Sequence, residues 1–400
     1  MAQGQTCSSG PLPLAVAALA ALASACVRPG TPGVTDDEVV LGMSSPLSGP
    51  AAAWSSVHLG AQAWAAHVNE QGGVHGRRIR VLLKDDGYVP GRAVANVTDM
   101  KDSVFAIVGL LGTAVLSANK ELVAEAGVPL VWPFGNPRVF SGAPRQKVAR
   151  VFVAYPDYES EGEFLGAEVA ARTPSRTAAV FYQNDDYGKE GLDGLKRGFG
   201  RAGGTVVAEV PYELQDREMG LQALKLRESR SDVVVLFSTT THAANLVKEM
   251  AKVGYRPTVF ASFPLGDYQV MHRLLGDLWD GVYVTAYTPY MGEPGADRVI
   301  GILVGRDGKL EGRELFALNG AMAMMLAVEG LRRAGRDLTR DSFVRALEGI
   351  RDFAPEGLGA PITFGPNRRH GLNTVRLLRT RSAGEPPEAL TPYQPFPPLF

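Results

Sequence analysis

Two pairs of adjacent aspartates stand just after apolar runs, where carboxylates could bind a metal ion or exchange a proton. Asp85-Asp86 follows residues 79–83, and Asp185-Asp186 follows residues 178–182. Paired carboxylates can hold Mg²⁺ or act as acid and base. Aspartate in a strand-to-helix loop also commonly caps the helix. Because no phosphate-binding loop, partner lysine or third acid accompanies either pair, we favour the capping interpretation.

The other residue types that ligate metals or act as nucleophiles show no recognisable spacing. The six histidines contain no H-x-x-x-H or H-E-x-x-H pattern. The two cysteines, Cys7 and Cys26, both lie near the N-terminus, so the rest of the chain has no thiol nucleophile or disulfide framework. The nucleophile elbow and the phosphate loop are also absent, and the G-x-G-x-x-G string at residues 198–203 ends a predicted helix instead of joining a strand to a helix, so it is no dinucleotide fingerprint. We therefore predict no catalytic residue, no metal site and no cofactor.

Length and charge narrow the class of protein. The 400 residues include 41 basic and 42 acidic side chains, a formal net charge of -1, and 45% are hydrophobic. This balance does not favour nucleic acid as a partner. The length suggests two globular domains, each large enough to bury its own core.

The N-terminal segment predicts export. Residues 12–25 are an apolar run of signal-peptide length, and Leu22-Ala23-Ser24-Ala25-Cys26 resembles a bacterial lipobox. An ordinary A-x-A cleavage site would place the cut at the same bond, and no Lys or Arg precedes Arg28. We expect a signal peptide over 1–25, lipidation at Cys26 and a Pro/Gly-rich tether over 26–35. The mature protein would then be periplasmic or at the outer face of the cytoplasmic membrane, held there by the lipid alone.

The first apolar strand leads into a loop that could hold a small molecule. Residues 39–43 are apolar, residues 44–50 are small, and Trp54 precedes a helical pattern. In open α/β sheets, ligands lie at such strand ends, near loop amides and helix N-termini. Trp54 could offer a flat wall to a ligand, or it could pack beneath its own helix.

Strands and helices then alternate along most of the chain, and the pattern begins again near residue 150. Helix, Gly-Gly and strand follow one another at Gly72-Gly73 and again at Gly203-Gly204. Such alternation predicts parallel sheets built from βαβ units. A Met-rich segment within residues 314–334 is apolar on nearly every side and predicts a buried core helix.

The order of several motifs resembles the branched-chain amino acid binding proteins, the substrate-binding subunits of ABC importers. The matching segments are PLSGPAAAW, NEQGGVHGRRIRVLLKDD, GRAVANV, EAGVPLVWPFGNP, QNDDYGKEG and EMAKVGY. The resemblance implies a type I periplasmic binding protein, an α/β fold of two doubly wound parallel-sheet lobes joined by a three-segment hinge. It places lobe 1 at 36–156 and 286–363, lobe 2 at 157–285 and 364–381, and leaves a proline-rich tail at 382–400.

The resemblance also implies a ligand site between the lobes and a partnership with ABC permease subunits. Ligand-binding positions of that family fall on Trp54, Gly112, Thr113, Phe134, Gly135, Tyr187 and Thr240. The function expected is delivery of a small polar ligand by hinge closure. A sensory receptor using the same closure is the alternative, and an orphan scaffold or an enzyme on this fold is the third.

The chain departs from that family where an acid often binds the ligand ammonium. Phe263-Pro264 stands there, and Asp267 could substitute only if the loop were rearranged. An unpaired ammonium in a closed cleft would cost several kcal/mol, roughly the value of a buried charge-assisted contact. The sequence therefore leaves an amino acid, an amide, a short carboxylate or a more apolar molecule open as the ligand.

Overall fold

The computed structural model describes Met1 and residues 30–400, and Thr31–Phe400 form one compact unit. The predicted signal peptide, Cys26 and the first part of the tether lie outside the described residues. The last part of the tether is bound to the folded unit. Thr31 Oγ1 donates to the Leu338 carbonyl (3.1 Å), and Val34 bridges Val39.

The secondary structure alternates as the sequence predicts. The strands are β1 Glu38–Ser45, β2 Arg78–Asp85, β3 Ala106–Val108, β4 Leu130–Val131, β5 Val151–Ala154, β6 Thr177–Gln183, β7 Thr205–Tyr212, β8 Val233–Phe237, β9 Thr258–Ala261, β10 Tyr283–Ala286, β11 His370–Leu372, β12 Thr374–Arg379, β13 Glu388–Ala389 and β14 Gln394–Pro395. The helices are α1 Ser55–Glu70, α2 Pro90–Met100, α3 Thr113–Ala126, α4 Arg145–Val148, α5 Tyr158–Arg172, α6 Asp186–Arg201, α7 Gly220–Glu228, α8 Thr240–Lys252, α9 Tyr268–Leu275, α10 Ala296–Arg306, α11 Glu314–Ala334 and α12 Arg340–Glu348.

These strands form two sheets, one in each lobe. The first has six strands in the order β11-β5-β4-β3-β1-β2, all parallel where they pair. The second has eight strands and is parallel from β7 through β10, with β12, β13 and β14 added antiparallel at its edge. Helices cover both faces of the parallel strands, so β1 and β8 read as nearly continuous apolar runs. The predicted two-lobed α/β fold is confirmed.

Helix α11 is the core helix that the Met-rich segment predicts. It is long and apolar enough to span a bilayer, yet 94% of its most apolar window is buried inside the protein. Gly320 brings its backbone against α1, because a Cβ there would lie 1.5 Å from the Val57 carbonyl oxygen. The apolar side chains of α11 therefore serve the core of lobe 1.

Three crossovers join the lobes, and they are tied to one another. They run through residues 155–157, residues 287–295 and Asn373, between the strands of the two sheets. The Asn373 side chain accepts from the Asp157 amide (3.1 Å) and donates to Asp157 Oδ2 (2.8 Å). The third crossover thus lies later than the boundary expected at 363/364, because His370–Leu372 pair with β5 in lobe 1.

The segment after residue 381 is bound to both lobes. Its strands β13 and β14 pair with β12 of lobe 2. The Phe400 carbonyl then accepts from the amides of Arg369 (2.9 Å) and His370 (3.0 Å) in lobe 1. We call residues 388–400 the C-terminal strap. The sequence predicted only an irregular proline-rich tail here, because strands of two residues leave no periodic pattern.

Candidate ligand-binding cleft

A cavity of about 470 Å³ lies between the lobes, at the carboxyl ends of the strands of both sheets. Lobe 1 contributes Trp54, Val57, Tyr88, Leu111, Gly112, Thr113, Phe134, Phe316 and Asn319. The hinge contributes Tyr155 and Tyr287, and lobe 2 contributes Tyr158, Tyr187, Phe263 and Pro264. A molecule in this space would contact both lobes at once.

Five of the seven sequence-predicted ligand residues line this cavity, namely Trp54, Gly112, Thr113, Phe134 and Tyr187. Gly135 and Thr240 are buried but are not among the lining residues. Gly135 packs on the start of α3, where a Cβ would lie 2.8 Å from Leu116 Cδ1. Thr240 begins α8, and its buried hydroxyl has no hydrogen-bond partner among the described residues.

Trp54 joins the lobes directly. A short 3₁₀ turn, Ala52–Trp54, places the indole at the cleft and leads into α1. Its Nε1 donates to the Pro264 carbonyl of lobe 2 (3.1 Å), and its ring meets Tyr88 edge-on at 5.4 Å. The ring is 6% exposed. Trp54 therefore faces the cleft and does not merely pack beneath its own helix.

The turn between β3 and α3 brings backbone amides to the cavity. Gly112 has φ +110, and a Cβ there would lie 2.6 Å from Tyr88 Cε2, so only glycine fits against that ring. Helix α3 begins at Thr113, and its first-turn amides have no intrahelical acceptor. Thr113 Oγ1 accepts from the Asn136 amide (3.1 Å) and keeps its own proton available. This turn can bind an anion or another acceptor.

Aromatic residues of the hinge and of lobe 2 form the rest of the wall. Tyr158 stacks on Phe263 at 5.2 Å with an interplanar angle of 13°, and it lies 4.3 Å from Tyr187 between ring centroids. The Tyr155 and Tyr158 hydroxyls are 2.9 Å apart. The hydroxyls of Tyr187 and Tyr287 are buried and have no hydrogen-bond partner among the described residues. Burial raises the pKa of Tyr187 well above its usual value, so the phenol stays protonated.

Sequence reasoning missed several of these wall residues. Tyr155 and Tyr158 follow a strand directly, which is the same signal that pointed to Trp54. Tyr88 has φ +64, an unusual conformation for a large residue, and no sequence pattern indicates it. Phe316 and Asn319 lie on α11, far along the chain, and reach the cleft only through tertiary packing.

Two buried acids lie near the cavity without lining it. Glu161 on α5 accepts from the Phe263 amide (2.8 Å), from Ser262 Oγ (2.7 Å) and from Thr285 Oγ1. Burial raises the pKa of Glu161 to about 7. Asp267 caps α9 through the Val270 amide (3.2 Å) and accepts from the Phe316 amide, and burial raises its pKa to about 7. Neither carboxylate faces a ligand.

The paired aspartates considered for catalysis have structural roles. Asp85 accepts from Leu47, Ser48 and Gly87, which fixes the loop after β1. Asp185 caps α6 through the Tyr187 and Gly188 amides. The capping interpretation therefore holds for Asp185, whereas Asp85 and Asp86 accept hydrogen bonds from loop residues beside β1 and do not cap α2. The residues that the structure describes contain no group of three His, Cys, Asp or Glu that could hold a metal ion.

The lobes also touch on both sides of the cavity. On one side, Arg138 of lobe 1 pairs with Glu159 of lobe 2 (2.6 Å), and Asn136 Nδ2 donates to Glu190 (2.5 Å). On the other, Arg273 of lobe 2 donates to the Gly312 carbonyl of lobe 1 (2.9 Å). The structure is thus a closed form.

Comparisons with known proteins agree with this architecture. A family model described as periplasmic binding protein matches residues 38–385. The Leu/Ile/Val-binding protein homolog 3 of Brucella melitensis is 22% identical over 312 residues, 78% of this chain and 83% of that protein.

Solved structures show the same fold. A branched-chain amino acid ABC transporter protein of Thermus thermophilus with bound valine has a TM-score of 0.80 at 17% identity, covering 91% of this chain and 98% of that one. A fatty acid ABC transporter substrate-binding protein of Thermomonospora curvata has a TM-score of 0.79 at 22% identity, covering 92% and 94%. Two parallel-sheet lobes around an interlobe cavity, together with a family match over most of the chain, show that this protein belongs to the periplasmic binding protein family.

Proposed function

We propose that this chain is the extracytoplasmic solute-binding protein of an ABC importer, which binds a small ligand by closure of its two lobes. The cavity shared by both lobes carries the proposal, because a ligand there favours the closed form through its contacts to each lobe. The seven sequence-predicted ligand residues belong to the proposal, with Trp54, Gly112, Thr113, Phe134 and Tyr187 as direct contacts. The permease would recognise the closed pair of lobes.

A thermal-shift panel of amino acids, amides and short carboxylates tests solute binding. A ligand that binds only the folded state raises the melting temperature by mass action. Trp54→Ala removes a wall and the bond to Pro264, so we expect it to abolish the ligand-induced shift. Trp64→Phe is the control, since Trp64 is a buried residue of α1 outside the cavity. It should lower the melting temperature and keep the shift. A Trp54→Ala protein that responds like the parent would overturn the site.

The proposal includes export and lipid anchoring at Cys26. The small residues Ala23-Ser24-Ala25 before that cysteine support it. In cells expressing the full chain, the Cys26→Ser protein should leave the membrane fraction, and labelling with a radioactive fatty acid should be lost. Equal labelling of parent and variant would exclude Cys26 as the anchor. Soluble, unlabelled parent protein would indicate ordinary cleavage instead.

Uptake measurements separate transport from sensing. A strain lacking this protein should lose uptake of the radiolabelled ligand and regain it when the parent chain is supplied. The Trp54→Ala chain should fail to restore uptake. Normal uptake in the deletion strain would contradict the importer role.

A further inference from the structure

The walls of the cavity contain no Asp, Glu, Lys or Arg. Nine of the fifteen lining residues are aromatic, and the aliphatic members include Val57 and Leu111. Ring faces and edges recognise another flat ring better than they recognise a charged chain. The body of the ligand should therefore be aromatic.

The polar side chains of the wall are arranged as donors. Asn319 Oδ1 accepts from Thr288 Oγ1 (2.6 Å), which leaves the Asn319 amide group to donate. Thr113 Oγ1 is also engaged as an acceptor, by the Asn136 amide. The first-turn amides of α3 lie beside it. Such a group of donors matches a carboxylate.

Two phenols of the cavity wall are available to a ligand oxygen. Tyr187 and Tyr287 are 2% and 3% exposed, and their hydroxyls find no partner in the described residues. Buried hydroxyls are seldom left without a hydrogen bond. A ligand oxygen within the cavity would satisfy at least one of them.

No acid is available for an ammonium group. Glu161 is the carboxylate nearest in structure to the Phe263 wall, and its two oxygens already accept three hydrogen bonds. Asp267 is committed to the start of α9 and to the Phe316 amide. The wall thus offers a ligand ammonium ring faces but no carboxylate, whereas a ligand carboxylate finds the amides of the α3 turn and the Asn319 amide group as donors.

The cavity volume limits the ligand further. The figure of about 470 Å³ includes gaps between wall atoms and open solvent, so the enclosed space in this closed form is smaller still. A single ring with a short chain fits this volume better than a long acyl chain does.

We propose that the ligand is a small one-ring aromatic carboxylate that carries no ammonium group, an inference that rests on the proposed solute-binding function. The carboxylate lies at the start of α3 near Asn319, and the ring lies among Tyr158, Tyr187 and Phe263. Selectivity against amino acids follows from the missing counter-charge.

Calorimetry with matched probes tests this inference. Phenylalanine differs from 3-phenylpropanoate only by its α-ammonium, and 3-cyclohexylpropanoate keeps the carboxylate but lacks the π system. We expect 3-phenylpropanoate to bind, and phenylalanine to bind roughly 10- to 150-fold more weakly, the value of one lost charge-assisted bond. The cyclohexyl probe should be about 2- to 10-fold weaker.

A nearly isosteric variant tests the donor arrangement. Asn319→Asp can still accept from Thr288 but presents a negative charge to the ligand. The affinity for 3-phenylpropanoate should fall at least about tenfold, the loss expected for a hydrogen bond to a charged group. The preference for 3-phenylpropanoate over phenylalanine should become smaller or reverse. Urea unfolding of the variant checks that the fold is intact. Unchanged affinity for 3-phenylpropanoate would contradict the inference.

The outcomes separate this inference from the function on which it rests. If phenylalanine, leucine or an amide binds as tightly as 3-phenylpropanoate or more tightly, the aromatic carboxylate is wrong and solute binding stands. If neither these probes nor the wider panel above shifts the melting temperature, solute binding itself fails.

Discussion

Glu161 holds part of the lobe 2 wall in place through a network of buried hydrogen bonds. Its buried carboxylate gathers Ser262, Phe263 and Thr285, which come from two strand ends. The Phe263 ring therefore stands where it stacks on Tyr158. Glu161 touches no ligand position, so we regard it as a positioning residue.

The first prediction concerns the pH dependence of stability at Glu161. Burial raises its pKa from 4.5 to about 7, so the folded state keeps a proton between these values that the unfolded state has lost. The contribution of Glu161 to stability is therefore fully present below pH 4.5 and is lost as the pH rises through 7. We expect the free energy of unfolding of the parent, relative to Glu161→Gln, to fall across this window. Urea denaturation at several pH values measures it.

The control for this experiment lies on the same helix. Glu163 is more exposed and pairs with Arg197 and Arg201. The Glu163→Gln protein should keep the fall in unfolding free energy that Glu161 causes across this pH window. A parent-to-Glu161→Gln difference that is level, or that grows with pH, would show that Glu161 is not held by burial in this way.

At the level of single residues, sequence reasoning identified those wall residues that are aromatic and lie in the connection between a strand and the following helix. Trp54 and Tyr187 stand where the connections after β1 and β6 lead into helices, and both line the cavity. Glu161 gave no signal, because its partners are far away in sequence. Asn319 gave none either, since a polar residue in a buried helix can face a cavity or a neighbouring backbone.

Among the elements, the start of α3 depends most on backbone geometry. Its N-cap, Gly112, lies in a conformation that other residues avoid, with the Tyr88 ring against it. This geometry places the α3 amides and the Tyr88 ring side by side. Because Gly112 can adopt this conformation, α3 begins at Thr113, immediately after the turn that follows β3.

The second prediction is that Gly112→Ala loses both stability and ligand binding. The strained φ and the contact with Tyr88 should cost about 1–3 kcal/mol of unfolding free energy, and moving Tyr88 should disturb the wall. Urea unfolding and calorimetry measure the two effects. Gly91→Ala is the matched control, since Gly91 lies in α2 with no atom within 4 Å of its added Cβ. It should be neutral or stabilising by up to about 1 kcal/mol. If Gly112→Ala and Gly91→Ala were equally stable, the backbone conformation at Gly112 would not be strained for other residues as we expect.

At the scale of the whole molecule, three crossovers and the C-terminal strap connect the lobes, and polar contacts bridge them at the rim. Alternation of strands and helices predicted two α/β lobes, whereas the expected positions of the crossovers came from the resemblance to the binding-protein family. The third crossover could not be placed from sequence, because Asn373 alone separates β11 from β12 and only residues 375–378 have the pattern of a strand. The two strands belong to different lobes only because β11 pairs with β5 of lobe 1 and β12 pairs with β10 of lobe 2.

The third prediction concerns the equilibrium between open and closed forms. Arg138 of lobe 1 pairs with Glu159 and Asp157, and its partner Glu190 also binds Asn136. Arg138→Ala should weaken ligand binding about two- to fivefold, because partly exposed pairs contribute up to about 1 kcal/mol. Small-angle scattering should show a larger radius of gyration without ligand and an unchanged one at saturation.

Two variants make the result specific to the rim. Arg298→Ala removes an ion pair with Glu356 that lies within lobe 1, so the radius of gyration and the affinity should match the parent. Glu190→Ala removes an acceptor of lobe 2 but leaves the ion pair between Arg138 and Asp157 in place. It should change the affinity and the radius of gyration in the same direction as Arg138→Ala. An unliganded Arg138→Ala protein as compact as the parent would show that the rim contacts do not bias closure.

Because Trp54 of lobe 1 donates a hydrogen bond to the Pro264 carbonyl of lobe 2, the intrinsic tryptophan fluorescence of the protein should report the closure of the lobes. Of the four tryptophans in the chain, Trp54 is the one in the cavity wall, whereas Trp132 and Trp279 are fully buried. Separation of the lobes would wet this indole and shift its emission to longer wavelengths. Titration with a solute should therefore move the emission to shorter wavelengths. The emission of the Trp54→Phe protein, which comes from the other three tryptophans, should not shift in the same titration.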